Sequence, residues 1–317
     1  MPDLSIIVPT YNEEELLPRL LRDLKKQRRI DFEVIVADAR SEDRTREIAR
    51  DSGAKVVDGG LPAEGRNAGA AVAQSPLLLF LDADVRMRRG FLQRAIEEFD
   101  SRDLVAATCR VKPLSPFSTD RILHNFANLF VRLTQESDPN APGYCIFVTK
   151  DVFDRVGGFD ETLKVAEDHN FVKRAAEHGR FRLLNSAKIL VDVRRFDKEG
   201  RLGYAIKNVK VSVYRALQGE ITRDNEYVDY EFGDYSEDDV SGSKKALRKL
   251  EKGILKLDRA ATELDKKVFQ NAGDPDVRKR LNQLVERLRH GWEAAFGTGS
   301  GTGDADAEST STDKTRE

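Results

Sequence analysis

The first half of this chain alternates short apolar runs with amphipathic segments, and this alternation strongly constrains its fold. Residues 4–8, 32–37 and 77–81 have the length and the branched character of buried strands. Segments with helical periodicity lie between them, such as residues 14–26, which place five leucines on one face. A strand–helix repeat of this kind predicts a mostly parallel, doubly wound α/β sheet with helices on both faces.

The alternation continues to about residue 193, with one longer amphipathic segment in the middle. Residues 114–140 carry apolar side chains at helical spacing, and we expect this segment either to pack against the sheet or to touch a membrane surface. The pattern predicts further helices at 44–51, 63–73, 90–99 and 167–178, and further strands at 55–57, 104–110, 144–148 and 183–193.

The composition changes after residue 223. Residues 224–239 hold eight acidic side chains and no basic one, which indicates a linker or a charged flap. Residues 247–268 then follow a heptad pattern, and a second apolar series extends to residue 295. We therefore predict an α/β domain at 1–223, an acidic linker at 224–242, a helical hairpin at 243–296 and a disordered tail at 297–317. The hairpin is predicted to form a homo-oligomer or to pack against the first domain, because two helices alone leave apolar surface exposed.

The charge balance argues against a general attraction to nucleic acid. The sequence contains 53 basic and 55 acidic residues, which give a net charge of −2.

Cys109 and Cys145 lie in apolar runs, which predicts two buried free thiols. A strand begins almost at the N-terminus, and no run approaches the ~20 apolar residues of a membrane span. We therefore expect a cytoplasmic protein without a signal peptide, with at most peripheral membrane contact.

Two carboxylates follow the predicted strand at 77–81 directly. Asp82 and Asp84 are separated by one residue and lie at the carboxyl edge of the predicted sheet, where open α/β sheets bind ligands. Neighbouring carboxylates repel one another unless a cation compensates them, and Mg²⁺ or Mn²⁺ takes one or two carboxylates together with water and substrate phosphates. An isolated pair of this kind is equally consistent with a solvated turn.

Further polar groups mark other ends of the predicted elements. Tyr11 follows the first strand and offers an aromatic stacking face, and Asp38 ends the second strand. Arg66 lies in a segment of small residues that permits close backbone approach. Glu167 and Asp168 begin a predicted helix, where the helix dipole alone also favours carboxylates. Each of these features by itself is also consistent with a helix cap or a turn.

Taken together and in this order, the motifs resemble the nucleotide-sugar-dependent family 2 glycosyltransferases, which have the GT-A fold. The resemblance extends from about residue 3 to residue 196. It implies a metal-dependent, inverting enzyme that uses Mg²⁺ or Mn²⁺ and a nucleoside-diphosphate sugar as donor. By position, the resemblance assigns donor binding to Pro9, Tyr11, Glu13, Asp38, Arg66 and Asp82, metal binding to Asp82 and Asp84, and catalysis to Glu167 and Asp168, with Asp168 as the base.

The departures from the family pattern refine these expectations. Ala39 and Arg40 replace the residues that usually follow the acidic residue of the second strand, which leaves the preferred nucleotide base open. The Gln-x-x-Arg-Trp signature of processive members is absent, since residues 193–196 read Val-Arg-Arg-Phe. We therefore expect transfer of a single sugar to a glycan or a lipid-linked acceptor, such as polyprenyl phosphate or a lipid-linked saccharide. This chemistry would serve cell-surface glycan or glycoprotein synthesis.

Two other classes of protein remain as alternatives. A sugar-nucleotidyltransferase shares the α/β sheet and the metal-binding carboxylates, but it would carry a Gly-x-Gly-x-Arg loop where this chain has Pro9-Thr10-Tyr11-Asn12-Glu13. A non-catalytic scaffold protein would use the helical hairpin as its working part. Intact Asp84 and Asp168 weigh against this second alternative.

Overall fold

The computed structural model describes residues 2–163 and 165–193, together with positions 255, 259, 262 and 263. The acidic linker, nearly all of the helical hairpin and the predicted tail lie outside these residues, as do Arg194 and Arg195. The proposed domain boundaries after residue 193 therefore stay predictions. Within the described part, no helix is both long and apolar enough to cross a membrane.

Eight strands and seven helices make up the described part of the chain. Two short elements, β5 and α6, were not predicted, because three and six residues are too few to show a period. The elements in chain order are β1 (Leu4–Thr10), α1 (Leu17–Lys25), β2 (Phe32–Asp38), α2 (Thr45–Asp51), β3 (Lys55–Asp58), α3 (Pro62–Ala71), β4 (Leu77–Leu81), β5 (Val85–Met87), α4 (Phe91–Ser101), β6 (Leu104–Pro113), α5 (Ser118–Thr134), β7 (Cys145–Thr149), α6 (Lys150–Arg155), α7 (Glu167–Ala176) and β8 (Arg180–Val191).

The strands form one sheet in the order β3-β2-β1-β4-β7-β6-β8-β5. β1 pairs in parallel with β2 and β4, β2 pairs in parallel with β3, and β6 pairs in parallel with β8. β7 runs antiparallel to both of its neighbours, and the edge strand β5 is antiparallel to β8. The predicted α/β fold is confirmed. The antiparallel pairs of β5 and β7 make the second half of the sheet mixed. Hydrophobic periodicity does not reveal this, because it contains no information on strand direction.

Helices cover both faces of the sheet, as predicted. Alternate residues of one strand belong to different apolar clusters: Leu79 and Leu81 of β4 pack in the first cluster, and Leu78 and Phe80 pack in the second. The first cluster includes residues of α1, α2 and α4, and the second includes residues of α3, α5, α6 and α7. The buried strands are apolar on both sides because each side is covered by helices.

The small residues of α3 allow its backbone to lie directly on the sheet. A Cβ atom added to Gly69 would come within 2.3 Å of Ile7 Cγ2, and one added to Gly65 within 3.3 Å of Pro9 Cβ. Pro62 stands in the first turn of α3, and Glu64 accepts a hydrogen bond from the N–H of the preceding Leu61 at 2.9 Å. The beginning of α3 is thereby fixed against the carboxyl end of β1.

The amphipathic segment after β6 forms α5, which packs against β6 and β8. Its Ile122, Leu129 and Leu133 are buried, whereas Phe130 is 48% exposed. Asn128 joins this helix to β6, because its amide donates to the carbonyl of Val111 at 2.8 Å and accepts from the N–H of Val111 at 2.9 Å. Of the two expectations for this segment, packing against the sheet accounts for most of its apolar side chains.

Candidate active site

The loops that follow β1 and β2 are held together as one unit. The backbone N–H of Asn12 donates to Ser41 Oγ at 2.9 Å, and the N–H of Glu42 donates to Asn12 Oδ1 at 2.9 Å. The N–H of Glu13 donates to Thr45 Oγ1 at 2.8 Å. These contacts satisfy backbone donors where the strands end, so the two strand tips present one ordered edge.

Asp38 lies inside this edge rather than on its surface. Its carboxylate is fully buried and accepts hydrogen bonds from Ser41 Oγ at 2.6 Å, from Thr10 Oγ1 at 3.2 Å and from Arg46 Nη1 at 3.2 Å. In this structure Asp38 therefore holds the tips of β1 and β2 in place, and its contact with a nucleotide base stays a prediction. The neighbouring Tyr11 is 62% exposed and offers an open aromatic ring at the same edge.

Asp82 and Asp84 form a tight turn between β4 and β5. The carbonyl of Asp82 accepts a hydrogen bond from the N–H of Val85 at 3.3 Å, which brings both carboxylates to the end of β4. The side chain of Asp82 is 25% exposed, and Asp84 is nearly buried. Within the described ranges, no group of three or more His, Cys, Asp or Glu side chains is arranged to hold a metal. Two carboxylates suit Mg²⁺ or Mn²⁺, because such ions complete their coordination with water and substrate phosphates.

Arg66 of α3 connects this turn to the beginning of α7. Its Nη1 donates to Glu167 Oε1 at 2.7 Å, and its Nη2 donates to Asp82 Oδ1 at 3.3 Å. The guanidinium carbon lies 5.3 Å from the centroid of the Phe159 ring, and the residue is only 4% exposed. This buried cation thus contacts Glu167, which is 101 positions away from it in the sequence.

The electrostatics around Arg66 are those of a compensated buried cluster. Burial opposes the charged form of Arg66, but the charges of Asp82, Glu167 and Asp168 outweigh it and raise the pKa of the guanidinium. Burial, followed by the charge of Asp168, raises the pKa of Glu167, and Arg66 opposes that rise. The three carboxylates share this arginine as a common counter-charge.

Asp168 lies in the first turn of α7, beside Glu167. Its Oδ1 accepts a hydrogen bond from the N–H of His169 at 2.8 Å, and its side chain is 17% exposed. Ala166, which precedes the helix, has a left-handed φ of +59°, a conformation that costs a residue with a Cβ atom about 1–2 kcal/mol. Backbone strain of this kind concentrates at functional sites, and here it sets the direction in which the first turn of α7 leaves the loop.

Gly143 passes close to this cluster, and sequence analysis did not single it out. A Cβ atom at this position would come within 2.5 Å of Arg66 Nη2 and within 3.3 Å of Asp168 Oδ2. The residue therefore has to be small for the arginine and the carboxylate to keep their places. No local pattern in the sequence indicates this requirement, because it arises from groups that are remote along the chain.

The loop at 157–161 completes the surroundings of Arg66. The side-chain amide of Asn67 donates to the carbonyl of Phe159 and accepts from the N–H of Phe159, both at 2.9 Å. Arg174 donates to the carbonyls of Val156 at 2.6 Å and Gly158 at 2.8 Å. Residues on α3 and α7 thus hold the Phe159 ring against Arg66. Gly157 and Gly158 of this loop both have a positive φ, but two adjacent glycines in a sequence indicate only a turn and not the contact with Arg66.

The predicted site residues therefore fall into two groups in the structure. Arg66, Asp82, Glu167 and Asp168 form one electrostatic cluster, with Asp84 in the adjoining turn. The remaining predicted residues lie at the tips of the first two strands: Pro9, Tyr11, Glu13 and Asp38. α3 adjoins both groups, because it carries Arg66 and also packs on Pro9 through Gly65.

Comparison with known proteins gives consistent results. Residues 5–157 match the family model described as Glycosyl transferase family 2. The chain is 35% identical over 119 residues to 4,4'-diaponeurosporenoate glycosyltransferase of Staphylococcus haemolyticus, with 35% of this chain and 32% of the relative covered. It is 27% identical over 191 residues to Glycosyltransferase AglE of Haloferax volcanii, with 56% and 63% covered. The chain thus spans about a third of the first relative's length and less than two thirds of the second's.

A solved structure extends the comparison to the fold. The mannosyltransferase PcManGT of Pyrobaculum calidifontis, in complex with GDP-Man and Mn²⁺, matches with a TM-score of 0.55 and 18% identity. The match covers 93% of this chain and 83% of that one. The fold is that of the GT-A glycosyltransferases. Residues 5–157 match Glycosyl transferase family 2, the family that the sequence motifs resemble.

Proposed function

We propose that this protein transfers a single sugar from a nucleoside-diphosphate sugar to a glycan or a lipid-linked acceptor, with inversion at the anomeric carbon. The observation that carries this proposal is the contact of Arg66 with both Asp82 and Glu167. Through it, the carboxylates suited to a donor diphosphate and those suited to acceptor activation share one buried cluster. A structural ion pair alone would not require Asp168 and Asp84 to lie beside it.

The tips of β1 and β2 suit the nucleoside of the donor. Tyr11 offers an exposed ring for stacking on a base, and the hydrogen bonds around Asp38 keep the neighbouring backbone ordered. Ligands in open α/β sheets bind at this carboxyl edge of the strands. The Pyrobaculum enzyme binds GDP-Man, which makes guanosine sugars worth testing beside uridine and thymidine sugars.

Asp82 and Asp84 would hold Mg²⁺ or Mn²⁺ together with the diphosphate. When bound, the ion supplies positive charge that stabilises the departing diphosphate. Arg66 keeps Asp82 in position, and its Nε has no hydrogen-bond partner within the described residues. A donor phosphate oxygen is a suitable acceptor for that buried N–H group.

Asp168 is the proposed general base. An acceptor hydroxyl oxygen forms a bond to the anomeric carbon while the bond from that carbon to the diphosphate breaks. The hydroxyl proton passes to Asp168, which the N–H of His169 holds by a hydrogen bond at 2.8 Å. Glu167 pairs with Arg66 and so keeps the first turn of α7 in place. A general base at this step contributes about 10²–10⁴-fold to the rate.

A ligand screen on the full-length chain tests this proposal. Thermal unfolding is measured with UDP-, GDP- and dTDP-sugars, each with and without Mn²⁺, and release of the nucleoside diphosphate is then followed with candidate acceptors. A donor at about 100 times its Kd should stabilise the protein by about 2.7 kcal/mol. We expect this response to require Mn²⁺ and to disappear in Asp84→Asn.

The matched control is Asp151→Asn, which changes a carboxylate that is 75% exposed on α6. It should keep the full response to donor and Mn²⁺. If no nucleotide sugar stabilises the wild-type protein under any of these conditions, the transferase proposal fails and a non-catalytic role takes its place. A donor response that persists in EDTA would remove only the metal from the proposal.

A further inference from the structure

Basic side chains form two rows across β6, β8 and β5 near the proposed active site. Arg110 of β6 is the register partner of Lys188 of β8. Because Met87 pairs with Ile189 in the antiparallel β5–β8 ladder, the next residue, Arg88, continues that row on the other side of Lys188. In the second row, Leu190 pairs with Lys112 on one side and with Arg86 on the other.

Apart from Arg86, which pairs with Asp23 of α1 at the edge of the sheet, these side chains share the face that points away from α1 and α4. The residues that alternate with them, including Val111, Ile189 and Met87, are buried in the apolar cluster of the opposite face. Lys112 and Lys188 are exposed, and so is Arg88. We call Arg88, Arg110, Lys112 and Lys188 the cationic face.

The described carboxylates neutralise only part of the positive charge on these strands. Arg86 donates to Asp23 at 2.7 Å and is thereby neutralised. No carboxylate among the described residues forms an ion pair with Lys112, Lys188 or Arg88. Partial loss of hydration lowers the pKa of Lys112, as do the charges of Lys188, Arg110 and Arg88. Cations gathered in this way repel one another until an anion binds between them.

The cationic face adjoins the proposed site. β5 begins at Val85, the residue directly after Asp84, and the backbone of Lys112 lies two strand spacings from that of Arg86, or about 10 Å. Asp82 pairs with Arg66 of α3, which packs on the same face of the sheet as the one that carries the cations. An anion held there would lie beside the diphosphate site rather than in it.

We propose that the cationic face binds the phosphate group of the acceptor substrate. This inference rests on the proposed transferase function and narrows its acceptor to phosphate-bearing molecules. A phosphate monoester carries a charge of about −1.5 to −2 at neutral pH. Several neighbouring cations can neutralise that charge, whereas a carboxylate ligand would bring only one negative charge. Lysine binds such groups as a flexible point charge, and Lys112 and Lys188 are both long enough and exposed enough to do so.

Binding to phosphate monoesters tests the inference on the full chain. The probes are phosphatidylcholine vesicles with and without phosphatidic acid, measured by co-sedimentation, and soluble glucose phosphate, measured by thermal shift. The double variant Lys112→Gln/Lys188→Gln should weaken phosphate binding by roughly tenfold or more. The control Lys25→Gln/Arg28→Gln removes the same charge from two exposed residues of α1 and the turn after it, and it should bind as the wild type does.

Each outcome separates this inference from the transferase proposal. The stabilisation by nucleotide sugar and Mn²⁺ should be unchanged in the Lys112→Gln/Lys188→Gln variant. If the wild type lacks that stabilisation but still binds phosphate monoesters through these lysines, the transferase proposal fails and the cationic face remains a phosphate site without an acceptor role. Binding to vesicles alone supports a lipid phosphate, and binding to both probes supports a phosphate on soluble molecules as well. Equal binding by both double variants, or no binding by the wild type, overturns the inference.

One further occupant is tested in the same experiment. Residues 224–239 hold eight acidic side chains and no basic one. If this segment binds the cationic face, it competes there with phosphate. If phosphate binding appears only after these acids are replaced by their amides, the face belongs to that segment and the acceptor inference is overturned.

Discussion

Removal of the charge of Arg66 should destabilise the fold strongly and in a pH-dependent way. Arg66→Met keeps much of the side-chain volume beside Phe159 but leaves Asp82, Glu167 and Asp168 without their shared cation. Loss of one partner of a buried ion pair costs about 3–5 kcal/mol. For a domain of this size each kcal/mol lowers Tm by about 2–4 °C, so the expected loss is about 6–20 °C near neutral pH.

The pH dependence follows from Glu167. Burial and Asp168 already raise its pKa in the folded protein, and the loss of Arg66, which opposes that rise, raises it further. A carboxyl whose pKa is raised on folding makes the folded protein less stable as the pH increases. This loss begins at the unfolded pKa, about 4.3, and is complete above the folded pKa. The difference in Tm between Arg66→Met and the wild type should therefore become smaller as the pH falls toward about 5.

Thermal unfolding at acidic and neutral pH measures this effect, with Arg155→Met as the matched control. Arg155 pairs with Asp151 on the surface of α6, and both side chains are more than half exposed. Its replacement should change stability by only about 0–1 kcal/mol. Arg66→Lys keeps the charge, but a single ammonium group cannot replace the two guanidinium nitrogens that bind Glu167 and Asp82. An intermediate Tm is therefore expected. If Arg66→Met melts like Arg155→Met, or if its gap is the same at both pH values, the reasoning is refuted.

Three further predictions concern the proposed chemistry. Asp168→Asn should lower the rate of transfer to a hydroxyl acceptor by about 10²-fold or more while donor affinity is kept, and a rate near that of the wild type would exclude this residue as the base. Tyr11→Ala should weaken donor binding by about 1–3 kcal/mol through lost base stacking, whereas Tyr11→Phe should bind nearly normally; titration of the nucleoside diphosphate measures both. Gly143→Ala should displace the end of Arg66 and slow turnover more than it lowers donor affinity, and unchanged steady-state kinetics would contradict the close packing seen here.

Much of the fold could be predicted because it is encoded locally. The apolar run at 77–81 is a strand buried on both faces, and its end places Asp82 and Asp84 at the edge of the sheet. The helices at 45–51 and 167–176 begin close to where residue periodicity predicts them. Likewise, the two cysteines are buried free thiols, as their apolar neighbours indicate. Patterns of period 2 and 3.6 depend on nearby residues alone, so the sequence carries them directly.

The arrangement of the site, by contrast, was decided by tertiary structure. The sequence motifs indicated Arg66 and Glu167 as separate site residues. Only the packing of α3 and α7 on the same face of the sheet brings Arg66 Nη1 within 2.7 Å of Glu167 Oε1. The hydrogen bonds of Asp38 are likewise tertiary, because Thr10, Ser41 and Arg46 surround its buried carboxylate. Its predicted contact with the donor base stays a prediction. Contacts across many residues depend on strand order and register, which no short window of sequence specifies. The sequence by itself determined which side chains stand at strand ends and helix starts, and the folded sheet determined which of them meet.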